Sequence, residues 1–308
     1  MSTTIISPIP LNRKDSIGLV APAGQLPDSK RFETGIRILA EMGFEPRFPR
    51  AMWPGYGYLA DSDQNRLEEL HKNFAEQEAK GLMAARGGYG CLRLAQALDL
   101  QLIRRQRKML VGFSDISVLL NLIVHQAGLI CLHGPVVTSL CDCTQSALER
   151  FYHCITGNWR KAITPERLEI LRGEGQTEGM LVGGNLSTLL TLLGTPFDFS
   201  WEDKIVLLED VSEPLYRIDR MLTQLSLAGK FDKVGGIILG DFNFGAELDF
   251  IEKMRNLEYV WNRVLELTNG SQAAVWANFP FGHCPENLTL PLGETAVMDC
   301  GQGTLNFK

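Results

Sequence analysis

The sequence lacks nearly every feature that would announce a membrane, a nucleic acid or a bound metal. No apolar run reaches the ~18 residues that a membrane-spanning helix needs. Lys and Arg number 30 against 36 Asp and Glu, giving a net charge of −6 and a pI near 5.5, and no basic stripe runs along any segment, which excludes a nucleic-acid partner. The only dense basic patch, "RRQRK" at 104–108, reads as a solvated face. H-E-x-x-H is absent, and so are G-x-G-x-x-G and the P-loop. The seven cysteines are odd in number and irregular in spacing: Cys91, Cys131, Cys141, Cys143, Cys154, Cys284 and Cys300. No C-x-x-C occurs, Cys141 and Cys143 alone are a poor metal signal, and the set reads as unbridged thiols of a reduced compartment. The opening "MSTTIISPIPLNRKD" lacks the basic start and long apolar core of a secretory signal. The expectation is a cytoplasmic protein with no membrane anchor, no metal and no cofactor.

What remains is a soluble-type composition, 45% hydrophobic and 21% charged over 308 residues, long enough for two domains. Only the first dozen residues read as unstructured. Residues 1–165 alternate strand and helix. "SIGLVAPAG" (16–24) is a strand ending in a Pro-Ala-Gly loop, followed by Phe32, Ile36 and Leu39 at helical spacing. A second helix carries Leu67, Leu70 and Phe74 on one face. "GLMAARGGYG" (81–90) is a strand running into glycines, "MLVGFSD" runs into another helix, and "LICLHGP" (129–135) closes the series. Such alternation implies a parallel sheet with functional loops at the carboxyl ends of its strands. Those loops follow Pro22, span Arg86–Gly90 and span Gly112–Asp115. Residues 166–308 read as a second, α+β domain. It has buried strands at "GMLVGGN", "KIVLLEDV" and "VGGIILGDF", a helix face of Ile218, Met221, Leu222 and Leu225, and a finish of antiparallel strands that includes "LTLPLGETAVMD".

Ser114 stands at a strand–helix junction, where it can cap the helix or present a nucleophile. The first glycine of G-x-S-x-G is present as Gly112; the second is not. A serine nucleophile needs a base and an acid that orients it. Of five histidines, His71, His125 and His153 sit on helices and His133 ends a strand before Gly-Pro. His283, in the loop of "FPFGHCPENLTLPLG", is the one best placed to reach a cleft. Glu209 and Asp210 end the apolar strand "IVLLED"; Asp115, Glu213 and Asp241 are rivals for the acid. The glycines of "RGGYG" (86–90) allow main-chain N–H groups to approach a ligand closely, either a phosphate or an oxyanion.

Taken together, "LVAPAG", "ARGGYGCLRL", "LVGFSDISVLL", "HGP", "GMLVGGNLSTLLTLLGTP", "LLEDVSEPLYRIDRMLTQL", "GIILGDF" and "FGHCPENLTLPLG" resemble the LD-carboxypeptidase family of serine peptidases. That family includes the muramoyl-tetrapeptide carboxypeptidases and the related microcin C immunity peptidases. The resemblance spans about residues 16–295. It implies a flavodoxin- or Rossmann-like parallel-sheet N-terminal domain and an α+β C-terminal domain with a swivelling barrel-like core. It places the nucleophile on Ser114, the acid on Glu209, the base on His283 and the oxyanion donors on the backbone of Asp115 and of the Arg-Gly-Gly segment, Gly88 or else Gly87, with Arg86, Gly87 and Tyr89 near the substrate. It implies a homodimer and a murein peptide as substrate, cleaved at the L,D bond to its terminal D-alanine. Phe113, Ser117 and Val118 depart from residues common in relatives and bear on the pocket lining. Two other readings remain. One is cleavage of an aminoacyl-nucleotide, with Trp53, Trp201 or Trp261 as a platform for the base. The other is a non-catalytic binder of small anions near "RGGYG".

Overall fold

The computed structural model describes residues 4–49, 53–244 and 248–308. The chain divides into two units, Met1–Trp159 with Pro285–Gly293, and Arg160–Cys284 with Glu294–Lys308.

The first unit runs β1 (Ser16–Val20), α1 (Ser29–Glu41), β2 (Glu45–Arg47), α2 (Asp63–Ala75), β3 (Ala79–Ala84), α3 (Cys91–Leu94), α4 (Leu100–Gln106), β4 (Leu110–Gly112), α5 (Ser117–Leu122), β5 (Cys131–His133) and α6 (Gln145–Ile155). Its strands lie in the order β2-β1-β3-β4-β5, all parallel. This is the flavodoxin-like order, in which the chain reverses direction across the sheet between β1 and β3 and leaves a crevice at their carboxyl ends. The longer helices of this unit begin where the sequence supplies an acceptor for their orphan N–H groups. Asp28 caps α1 by accepting from Lys30 and Arg31, Ser62 caps α2 through Asn65, and Asp99 caps α4 through Leu102.

Three expectations change here. The face of α2 that turns inward is Arg66, Leu70 and Phe74, while Leu67 is only half-buried; an arginine occupies a position that apolar periodicity assigns to the core. Residues 4–12 are ordered rather than unstructured: Ile6 bridges to Leu129, donating to the Gly128 carbonyl at 2.8 Å and accepting from Ile130 at 3.1 Å. The basic run is not simply a solvated face. Arg104 donates to the carbonyls of Ala127 and Thr4, Arg107 to that of Ser7, and Lys108 is buried with its ammonium on the carbonyls of Asn73 and Glu76 at the end of α2. Positive groups there satisfy helix-terminal carbonyls that would otherwise be orphaned.

The second unit runs β6 (Glu169–Arg172), β7 (Gln176–Asn185), α7 (Leu186–Leu190), β8 (Lys204–Val211), α8 (Leu215–Leu227), β9 (Gly236–Asn243), α9 (Phe250–Leu267) and β10 (Ala274–Ala277), then β12 (Thr295–Asp299) and β13 (Thr304–Phe307). Its sheet has the order β13-β12-β7-β8-β9-β10-β6. The central four strands are parallel, and β12, β13 and β6 pair antiparallel at its edges. The stretch "LTLPLGETAVMD" is not a single strand of this sheet. Its first part, β11 (Leu290–Leu292), pairs antiparallel with β5 and completes the first unit's sheet; only β12 belongs to the second. Gly293, at φ +92°, sits between the two strands and takes a turn that a side chain disfavours.

Candidate active site

Ser114 follows β4 on a sharp corner. Phe113 is extended (φ −151°, ψ −171°), Ser114 has φ +63°, and a 3-10 turn over Ser114–Ile116 leads into α5. A capping serine has extended backbone angles and a hydroxyl that accepts from the helix's first N–H groups. Ser114 does not meet this description: its φ is left-handed, and the residue in the cap position before the turn is Phe113. The helix-cap reading therefore fails. A non-glycine residue in this conformation costs about 1–3 kcal/mol and persists where its surroundings hold it there.

Those surroundings are the loop after β3. A Cβ placed on Gly87 would lie 2.8 Å from the Ser114 Cβ and 2.9 Å from its Oγ, so only glycine lets this loop lie against the serine. The Gly87 carbonyl accepts from the Gly24 N–H at 3.2 Å. Because a trans peptide points its N–H opposite to its C=O, that bond turns the Gly88 N–H away from Gly24. Gly88 itself has φ +122°. The Asp115 N–H lies in the first turn after the corner, where N–H groups have no partner within the helix. Arg86 is half-buried and donates to the Gln25 carbonyl at 2.5 Å, with burial lowering the pKa of its guanidinium. Tyr89 is exposed, its ring edge-on to that of Tyr58 at 5.5 Å. The Asp115 carboxylate is buried and accepts from the Cys91 N–H at 2.8 Å; burial raises its pKa against the pull of that bond and of Arg66. It serves the start of α3, not a histidine.

In the second unit, Glu209 lies two residues before the end of β8 with its side chain fully buried, and its Oε2 lies 2.7 Å from Nδ1 of His283. Gly282 makes this approach feasible. It has φ +104°, and a Cβ there would meet the Glu209 Cγ and Oε2 at 2.8 Å. The loop before it is anchored where the Phe281 carbonyl accepts from Asp241 N–H at 3.0 Å. With Nδ1–H donated to the carboxylate, Nε2 is the basic nitrogen of the neutral ring. Burial works against the imidazolium, but Glu209 foremost, with Asp210 and Asp241, outweighs it, and the pKa of His283 is raised.

The rival acids have other partners. Asp210 accepts from Ser187 N–H and Val211 N–H, both at 2.7 Å. Burial, reinforced by the neighbouring Glu209 charge, pushes its pKa up to about 6. Glu213 pairs with Arg217 at 3.5 Å. Asp241 lies 4.0 Å from the Lys253 ammonium. His133 is fully buried in β5 with its ring against Phe113, so it does not line an open site. His71 accepts from the Asp99 N–H at 2.9 Å. No group of three or more His, Cys, Asp or Glu among the described residues is arranged to hold a metal, and none of the seven cysteines forms a disulfide.

Residues 17–134 match the LD-carboxypeptidase N-terminal domain, and residues 178–298 the LD-carboxypeptidase C-terminal domain. This chain belongs to the LD-carboxypeptidase family. It is 34% identical over 303 residues to the probable murein peptide carboxypeptidase of Bacillus subtilis strain 168, spanning 96% of this chain and 92% of that one. It is 33% identical over 292 residues to the murein tetrapeptide carboxypeptidase of Pseudomonas aeruginosa, spanning 92% of each. Among solved structures, an MccF-like protein from Bacillus anthracis superposes with a TM-score of 0.85 at 25% identity, spanning 98% of this chain and 99% of that one.

Beneath the serine loops of this LD-carboxypeptidase lie residues that sequence patterns did not single out. Arg66 of α2 is 1% exposed and donates to the carbonyls of Pro22 and Gly90. Glu69 accepts from the Ala21 N–H at 2.9 Å and from the Trp53 indole at 2.7 Å. The one signal that could have marked Arg66 is its place four residues before Leu70, on the helix's inward face.

Proposed function

We propose that this LD-carboxypeptidase hydrolyses the L,D peptide bond to the terminal D-alanine of murein tetrapeptides, with Ser114, His283 and Glu209 as its triad. In this reading His283 Nε2 takes the hydroxyl proton as Ser114 Oγ bonds the scissile carbonyl carbon. The N–H groups of Gly88 and Asp115 meet the developing oxyanion. The C–N bond then breaks, and His283 returns the proton to the amine of the departing D-alanine. Water attacks the acyl-serine, leaving its proton on His283, and that proton goes back to Ser114 as the ester opens. Glu209 holds the imidazole in the required tautomer throughout and stabilises the imidazolium.

The observation that carries the reading is the left-handed φ of Ser114, a strain for which capping offers no account. The buried Glu209–His283 contact and the names of the relatives support it. The same reading has the enzyme working in the cytoplasm as a homodimer. No helix among the described residues is long and apolar enough to cross a membrane. Cleavage of an aminoacyl-nucleotide is disfavoured because two of the platform candidates are engaged elsewhere. Trp53 packs edge-on to Phe32 and bonds Glu69, and Trp201 is buried against Phe231.

The test is incubation with L-Ala-γ-D-Glu-meso-diaminopimelyl-D-Ala, assaying free D-alanine. Stoichiometric release, unaffected by EDTA and abolished in a folded Ser114→Ala variant, is expected. Binding without turnover would favour a small-ligand binder, and turnover of an aminoacyl-nucleotide alone would favour the immunity-type reaction.

A further inference from the structure

One main-chain loop lies against the Ser114 corner and a second backs it, and both rest on α2. Arg66 and Glu69, three residues apart, share one face of that helix. Glu69 takes the Ala21 N–H at 2.9 Å, and Arg66 reaches the next carbonyl, that of Pro22. The loop after β1 is thus gripped by both of its polar edges. Two residues further on, the Gly24 N–H donates to the Gly87 carbonyl at 3.2 Å.

The loop after β3 is held at its far end by the same guanidinium. Arg66 Nη1 also donates to the Gly90 carbonyl at 3.1 Å, while its Nη2 bonds Asp63 at 2.5 Å. The Gly90–Cys91 peptide is therefore fixed on both sides, its C=O by Arg66 and its N–H by the buried Asp115 carboxylate at 2.8 Å. Between these anchors lies the Gly87–Gly88 peptide, pressed against Ser114. A buried guanidinium is not required to fill this space. Apolar side chains of similar volume commonly serve stability as well or better. What an arginine adds is direction: Asp63 holds Nη2, and the rigid plane of the guanidinium then fixes Nη1, which carries both carbonyls.

We propose that Arg66 is a positioning residue of the reaction. It holds the carbonyls of Pro22 and Gly90 so that the Gly88 N–H stays aimed at the oxyanion that forms on Ser114. This rests on the reading of Ser114 as nucleophile. Arg66 touches no reacting atom, and its effect belongs to kcat.

The test compares Arg66→Met and Arg66→Lys with the wild-type enzyme. It follows tetrapeptide hydrolysis, covalent labelling by a fluorophosphonate whose P=O oxygen uses the same donors, and the thermal midpoint. Arg66→Met is expected to lower kcat by about 10²-fold, the cost of a small misplacement near the reacting atoms, with KM within about twofold. Labelling of Ser114 should slow in parallel. Arg66→Lys keeps the charge and one nitrogen for the carbonyls but lacks the second nitrogen through which Asp63 fixes the plane; it should lose about tenfold, a partial rescue. A wild-type kcat in either folded variant, or a loss confined to KM, overturns the proposal. Should Arg66→Met not fold, Arg66→Lys decides alone. Ser114→Ala is run beside them. If it still turns over, or the label lands on another residue, the nucleophile reading fails. If it is inactive while a folded Arg66 variant is normal, only the positioning role fails.

Discussion

The serine corner and the Glu209–His283 pair are built by opposite means. The first is held by main-chain geometry: a strained φ at Ser114, a missing side chain at Gly87 and carbonyls directed by Arg66 and Gly24. None of those backbone groups titrates. The second is held through a short contact between ionisable side chains, with Asp210 and Asp241 adding charge behind it. Chemistry that needs a fixed N–H direction has been given to backbone, and chemistry that needs a movable proton to side chains. Variants in the two regions should therefore fail in different ways.

Among variants that keep the Ser114 hydroxyl, the largest effect is expected from Glu209→Gln. The amide no longer fixes the Nδ1–H tautomer of His283, and kcat should fall about 10³–10⁴-fold, as loss of the orienting acid does in serine peptidases. The pH profile should move as well. His283 must be neutral to act as a base, and its pKa is raised. The acid limb of kcat/KM in the wild-type enzyme should therefore lie above the ordinary histidine value of about 6.5. Removing the Glu209 charge should shift that limb to lower pH. A near-normal kcat in Glu209→Gln would transfer the role to Asp241 or Glu213.

Gly87→Ala is the matching change in the backbone region. The added methyl meets the Ser114 Cβ at 2.8 Å, so either the serine or the loop must move and the Gly88 N–H loses its aim. A fall in kcat of about 10²–10³-fold is expected, comparable to losing one oxyanion donor. Here the acid limb should stay where it is in the wild-type enzyme. A limb that moves would mean that the two regions are coupled through charge, against the distinction drawn above.

The same contrast explains what could be read before the structure. Alternating strand and helix signals sufficed for the parallel sheet because helix and strand periods differ and each segment carries one. The loops at the carboxyl ends of the strands follow from that alternation, whereas the strand order does not: the resemblance left it as flavodoxin- or Rossmann-like, and the structure decides for the former. Short edge elements such as β2 and β6 escaped, being too brief to show a period. β11 escaped because partner choice is not local: Leu290–Leu292 looks like any apolar strand, and only the fold says which sheet it joins. Glu209 and His283 stand 74 residues apart, and no local pattern contains their contact; it was the family resemblance that paired them. Arg66 was hidden for a related reason. Its partners are carbonyls, which every residue has, so nothing in the sequence marks their positions, and a charged residue on an inward face reads as a gap in the apolar stripe. The run at 104–108 misled in the same way, since charge suggests solvent unless the acceptors are known.

The smallest expected effect tests whether the serine region is free of titration in stability as well as in catalysis. Lys108 caps the end of α2, the helix that carries Arg66, and burial pushes its pKa down to about 8. In the unfolded chain its pKa is near 10.4. Between those two values the unfolded state binds the additional proton, so stability should rise as pH climbs from about 8 towards 10.4. Below that window the buried charge is a fixed burden, offset by the carbonyls of Asn73 and Glu76. Lys108→Met should flatten the slope, measured as the difference in thermal midpoint between variant and wild type across pH 8–10.4, and should leave kcat at neutral pH unchanged. A slope that survives the substitution would assign it to another group. A changed kcat would mean that the foot of α2 reaches the serine loops through Arg66, and that the region held by backbone is sensitive to a charge about nine residues along the helix axis, some two and a half turns away.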